Sequence, residues 1–217
     1  MLLDCDGVLL DSNSLKTAAF DAVLRDYPRP AVSGFLDFQI TAFGLSRYRL
    51  MDMFFARYLE RPPLAGEKEG LLAGFSNYCI AGYRDCGFTD GALDALEAIR
   101  AAGMPMFVVS GSDERELKGV LAGKAVIQYF DAVYGSPASK DENIGKVGDQ
   151  LAGRNLSMVF VGDARADFQA SRNSGCEFLY MGTWSADPAG MQQLKLEHGF
   201  REIGSLSELM PAIASLP

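Results

Sequence analysis

Asp4 and Asp6 stand two residues apart behind the apolar run Met1-Leu2-Leu3, in a segment that continues Gly7-Val8 and then Asp11-Ser12. Side chains alternate along a strand, so acids at i and i+2 share a face. Two carboxylates that close repel each other unless they share a cation or a proton. The pair therefore reads as a metal or phosphoryl site, or else as a solvated turn after a strand. Gly7 lets the chain leave the sheet tightly in either case. Three more polar clusters follow apolar runs. Ser110-Gly111-Ser112 precedes a helical pattern, where hydroxyls and backbone N–H groups can hold an anion. Ser112 as a plain helix cap accounts for the same residues. Lys140 closes a Gly-Ser-Pro-Ala-Ser-Lys segment and could neutralise a phosphoryl group, though surface lysines are common. Asp163 and Asp167 lie one helical turn apart on one face and offer the hard oxygens that suit Mg²⁺.

The elements that must position these groups can be read from periodicity. Short runs rich in Val, Phe and Tyr predict strands at 1–3, 106–109, 132–134, 158–161 and 178–181. Helical patterns predict helices at 90–102, 113–121, 140–151 and 164–173, with a further helix over 206–216. Alternation of this kind implies a parallel sheet with helices on both faces, an α/β Rossmann-like core. Sites in such sheets lie beyond the carboxyl ends of the strands, where all four clusters fall. The interval after Asn13 breaks the alternation. It has helical spacing at 14–25, 46–59 and 67–83, with Leu50, Met53, Phe54 and Tyr58 forming an apolar stripe. Pro28, Pro30 and Pro62-Pro63 punctuate it. The expected organisation is a core of residues 1–13 and 89–217, with a helical insert at 14–88.

Composition narrows the function classes. The 217 residues carry 20 Lys plus Arg and 28 Asp plus Glu, so the net charge is 20 − 28 = −8, without a run of either sign. That disfavours nucleic acid, whose phosphates need clustered cations. A small phosphorylated substrate is compatible, because local groups and a metal reverse the sign inside one cleft. Cys5, Cys79, Cys86 and Cys176 are scattered, which reads as reduced thiols and a cytoplasmic location. No apolar stretch is long enough for a membrane span, and no membrane partner is expected. Met1-Leu2-Leu3 is a short lead-in to a central strand, so the native chain is expected to begin a few residues earlier.

Asp4-x-Asp6-Gly7-Val8-x-x-Asp11-Ser12, then Ser110, Lys140 and Gly162-Asp163-x-x-x-Asp167, resemble the four motifs of the haloacid dehalogenase-like superfamily. The helical insert after the first motif resembles the cap of the phosphoglycolate phosphatase and β-phosphoglucomutase branch. The resemblance implies a Mg²⁺-dependent phosphatase of a small phosphorylated metabolite, a sugar phosphate or phospho-acid. It implies Asp4 as nucleophile, Asp6 as acid and base, and Ser110, Gly111, Ser112 and Lys140 around the phosphoryl group. It implies metal ligation by Asp4, the Asp6 carbonyl and Asp163, with Asp167 in or beside the shell. Dehalogenases and phosphonatases usually lack an acid at the place of Asp6, so phosphate-ester chemistry is favoured. The alternatives are a phosphosugar mutase, although Lys16 stands where such mutases often carry histidine, and a non-catalytic binding protein on this fold, although every motif acid is present. Arg47, near the start of a cap helix, is expected to clamp a substrate carboxylate or second phosphate, with Lys16 as a further cationic contact. A solvated role for either cation is the alternative.

Overall fold

The computed structural model describes residues 1–154 and 156–216; Asn155 and Pro217, which the expected core spans, lie outside them. Six strands form one parallel sheet in the order β3-β2-β1-β4-β5-β6. They are β1 (Leu2–Leu3), β2 (Phe107–Asp113), β3 (Ala132–Ser136), β4 (Val159–Gly162), β5 (Glu177–Met181) and β6 (Arg201–Ile203). The fold is the expected α/β Rossmann-like sheet. Strand β1 sits centrally, pairing Leu3 with Val108 on one side and with Val161 on the other. Both sheet faces are buried, as parallel sheets require. Leu3, Val108 and Val161 belong to one apolar cluster, whereas Leu2, Phe107, Val109 and Phe160 belong to another on the opposite face. The chain runs outward from β1 to β2 and β3, then returns to place β4 on the other flank. That reversal opens a crevice at the strand ends, between Asp4 and Asp163.

Four helices lie between β1 and β2: α1 (Asn13–Leu24), α2 (Arg29–Thr41), α3 (Arg47–Met53) and α4 (Glu67–Asp85). They pack largely on one another through Phe20, Phe35, Phe54, Phe55 and Phe75, and α4 also meets α6 (Glu114–Gly123) of the core. Sequence periodicity leaves α2 unassigned because Pro28 and Pro30 read as breaks. Pro30 in fact lies in the first turn, where a missing N–H is harmless. The single helix expected over 46–59 divides: α3 ends at Met53 and a π-helical turn spans Phe54–Tyr58. That wider turn buries the adjacent rings of Phe54 and Phe55 together. The two connecting segments run side by side. Leu10 bridges Phe88, Asp11 N–H donates to the Gly87 carbonyl, and Thr89 N–H donates to that of Leu9.

The remaining helices are α5 (Ala92–Ala101), α7 (Lys140–Gln150), α8 (Arg165–Asn173), α9 (Pro188–His198) and α10 (Leu209–Ala214). Besides α2, two further elements were not expected. Helix α9 buries only Met191 and Leu194, too little for a visible stripe, and β6 is three residues at the sheet edge. A shorter helix than expected closes the chain, because a 3₁₀ turn takes Leu206–Glu208. No helix among the described residues is long and apolar enough to cross a membrane.

Candidate active site

Asp4 continues β1 for one more residue, its N–H donating to the Val161 carbonyl at 3.0 Å. The chain then turns at Gly7, whose φ of +77° suits glycine. A Cβ there would stand 2.3 Å from Asp163 Oδ2, so only glycine lets this loop close against β4. Oxygens of Asp4, Asp163 and Asp167 then lie within 4.8 Å of one another, all buried. Lys140, the first residue of α7, reaches the cluster. Its Nζ donates to Asp4 Oδ2 at 2.9 Å and to Asp167 Oδ1. Asp167 Oδ2 accepts from the Ala164 N–H at the start of α8.

One amine, in contact with two of the three carboxylates, leaves negative charge in excess. Burial pushes the Asp4 carboxyl up to about 7; Lys140 opposes this, and Asp167 and Asp6 add to it. Burial likewise raises Asp163 well above the usual carboxylate range, reinforced by Asp167 and Asp4. Burial works against the charged Lys140 amine, but Asp167 and Asp4 outweigh it and hold that amine above its ordinary value. A cluster of hard oxygens short of positive charge fits a divalent cation such as Mg²⁺.

Asp6 points away from this cluster into a separate network. Its Oδ1 accepts from Ser12 Oγ at 2.6 Å and Tyr83 OH at 2.5 Å. Its Oδ2 accepts from Ser112 Oγ at 2.6 Å and lies 3.5 Å from Lys16 Nζ. Burial alone would raise this carboxyl; Lys16, Ser112, Ser12 and Tyr83 outweigh it and hold Asp6 below the usual range.

The alternative reading of Ser112 as the cap of α6 is set aside, because Asp113 takes that place. Strand β2 runs on to Asp113 with an irregularity after Val109, and Asp113 Oδ1 accepts from the Arg115 and Glu116 N–H groups. Ser112 is therefore free to face Asp6. Ser110 and Gly111 line the same cavity as Asp4, Asp6 and Asp163. A Cβ on Gly111 would stand 2.4 Å from the Gly44 carbonyl oxygen, so the insert's backbone rests directly on this loop.

The two expected cap cations both line the cavity, and neither is solvated. Lys16 Nζ donates to Ser112 Oγ at 2.8 Å. Arg47 is taken by Glu116 of α6, through bonds of 2.9 and 2.6 Å. Sequence reasoning assigned no role to Asn13, Tyr83 or Glu116. Asn13 Nδ2 donates to Asp163 Oδ2 at 2.6 Å and to the Trp184 carbonyl at 2.8 Å. Its adjacency to Ser12 was the available signal. Tyr83 follows Phe75 and Cys79 at helical spacing and reads as core. Nothing in the sequence marks Glu116.

A family model described as haloacid dehalogenase-like hydrolase matches residues 1–181. Human haloacid dehalogenase-like hydrolase domain-containing protein 3 is 33% identical over 134 residues, 58% of this chain and 52% of that protein. Phosphoglycolate phosphatase 1 of Pseudomonas aeruginosa is 26% identical over 190 residues, 81% of this chain and 66% of that protein. The chain thus spans about half of one curated relative and just under two thirds of the other. Among solved structures, a predicted phosphatase from Clostridium acetobutylicum shares the fold. It aligns with a TM-score of 0.76 and 19% identity, over 99% of this chain and 97% of that one.

Proposed function

The chain belongs to the haloacid dehalogenase-like hydrolases, and from that premise we propose a Mg²⁺-dependent phosphatase working through an aspartyl-phosphate on Asp4. Its substrate is a small phosphorylated metabolite, a sugar phosphate or phospho-acid, and residues 14–88 act as a cap over a core of 1–13 and 89–217. The observation that carries this reading is the separation of two acids on one loop. Asp4 lies in a cation-seeking carboxylate cluster, and Asp6 lies 2.5–2.6 Å from three hydroxyls.

In the first step an Asp4 oxygen forms a bond to phosphorus as the bond to the leaving oxygen breaks, and Asp6 gives that oxygen a proton. A dianionic phosphoryl group beside Asp6 raises its proton affinity, which loads it for this role. In the second step Asp6 takes a proton from water, water oxygen bonds to phosphorus, and Asp4 is released. Ser110, the Gly111 N–H, Ser112 and Lys140 hold the phosphoryl oxygens. Asp4, the Asp6 carbonyl and Asp163, with Asp167 beside them, would hold Mg²⁺, which when bound screens the repulsion between Asp4 and the phosphoryl group. A mutase has less support, because Lys16 is committed to Ser112 and Asp6. The unpaired thiols of Cys5, Cys79, Cys86 and Cys176 support a cytoplasmic setting.

The test is phosphate release from a panel of phosphorylated metabolites, with Mg²⁺ and with EDTA. Metal-dependent release is expected; release that EDTA leaves untouched would rule the reading out. A second expectation concerns pH. Below about 7 Asp4 carries a proton in the metal-free protein, and a cation must displace it. Apparent Mg²⁺ affinity should fall by up to about tenfold per pH unit on that side. The rise in Tm with added Mg²⁺ should therefore be larger at pH 8 than at pH 6. Equal shifts at both would contradict Asp4 as a ligand.

A further inference from the structure

We propose that the substrate's leaving group is uncharged, which narrows the phosphatase reading above to its sugar-phosphate side, and that Glu116 enforces this by occupying Arg47; the proposal rests on that reading. The cavity over Asp4 and Asp6 has a volume of about 40 Å³, room for a few water-sized groups. Phe20, Phe43, Leu45, Leu50 and Phe75 supply its apolar lining. A carboxylate on the leaving group would need a cation there, since a buried unpaired charge is strongly disfavoured.

Neither cation is available. Arg47 presents both arms of its guanidinium to Glu116, donates once more to Ser76 Oγ at 2.7 Å, and has its carbon 4.8 Å from the Phe75 ring centroid. Its side chain is only 3% exposed. A bidentate fork already filled by one carboxylate does not serve a second. Lys16 is spent on Ser112 and Asp6. The remaining insert side chain able to offer a hydrogen bond is Gln39, 1% exposed and lining the cavity. Its Oε1 accepts from Thr17 Oγ1 at 3.0 Å, which leaves the Nε2 donor for a ligand. A neutral amide donor suits a hydroxyl or carbonyl oxygen.

Two esters of nearly equal size provide the test: 2-hydroxyethyl phosphate and 2-phosphoglycolate. With Mg²⁺, the unaltered protein should show a kcat/KM at least about tenfold higher for the hydroxyethyl ester, a difference within reach of one unpaired polar contact. Glu116→Gln, which frees the Arg47 charge, should shift that ratio toward phosphoglycolate by about tenfold, chiefly through KM. Preference for phosphoglycolate in the unaltered protein would overturn the inference while leaving the phosphatase intact. So would a Glu116→Gln protein that slows on both esters alike, because Glu116 would then only fasten cap to core. Absence of Mg²⁺-dependent release from any phosphate ester would overturn the phosphatase reading itself, and this inference with it. Should the variant not fold, the preference of the unaltered protein decides alone.

Discussion

Asp4→Asn is expected to abolish Mg²⁺-dependent phosphate release, lowering kcat by on the order of 10⁴-fold or more, the scale on which removal of a covalent nucleophile is felt. The asparagine is isosteric, so the loop at Gly7 and the contacts around Asp163 should persist. Burial already holds this carboxyl near 7, so replacing it with a neutral amide relieves charge crowding. The variant should fold at least as firmly as the parent in EDTA, and should show a smaller gain in Tm from Mg²⁺. Rapid quench with a ³²P-labelled substrate should trap label on the parent protein and none on the variant. Near-normal turnover by Asp4→Asn would sink the covalent mechanism.

Lys140→Met should act in the opposite sense on stability. The amine is the cation that contacts Asp4 and Asp167 directly, and all three groups are buried. Removing one partner of a buried ion pair typically costs about 3–5 kcal/mol. For a chain of this size that lowers Tm by roughly 10 °C. The pH dependence follows from the sign of the change. Without Lys140 the carboxylates bind protons more tightly in the folded protein than in the unfolded chain, where Asp titrates near 3.9. The loss is therefore smallest at acid pH and grows as pH rises through the raised folded-state value. Mg²⁺ should return part of the stability by mass action, yet turnover should stay about 10²–10³-fold down because a phosphoryl contact is missing. Thermal melts at pH 5 and 8, with Mg²⁺ and with EDTA, check this. An unchanged Tm in EDTA at pH 8 would remove Lys140 from the role of counter-charge.

The sheet was legible because β1, β2 and β4 are buried on both faces, and such strands read as unbroken apolar runs. The polar clusters were legible because each follows such a run. Where burial is slight the signal fades: α9 hides two side chains and β6 lies at an edge. The proline-led start of α2 misled for a different reason, since position within the first turn, not proline itself, decides whether a helix tolerates it. Long-range polar pairing left the least trace. Tyr83 meets Asp6 across 77 positions of chain, and Arg47 meets Glu116 across 69. Local periodicity carries no information about either. Arg47 shows the consequence: its residue type and place in the chain suggested a substrate clamp, and its charge proves to be answered from within the protein.

The paired connectors at Leu9–Asp11 and Gly87–Thr89 bear on how such a protein changes over generations. Because the two connecting segments lie side by side, the helices between them can lengthen, shrink or be exchanged without altering the order of the strands. A lineage could thus retain its phosphoryl chemistry and acquire new substrates by recasting one contiguous stretch of gene. The contacts to be renegotiated at each exchange would include Gly44 on Gly111, Lys16 on Ser112, Tyr48 on Asp113, Tyr83 on Asp6, and Arg47 on Glu116.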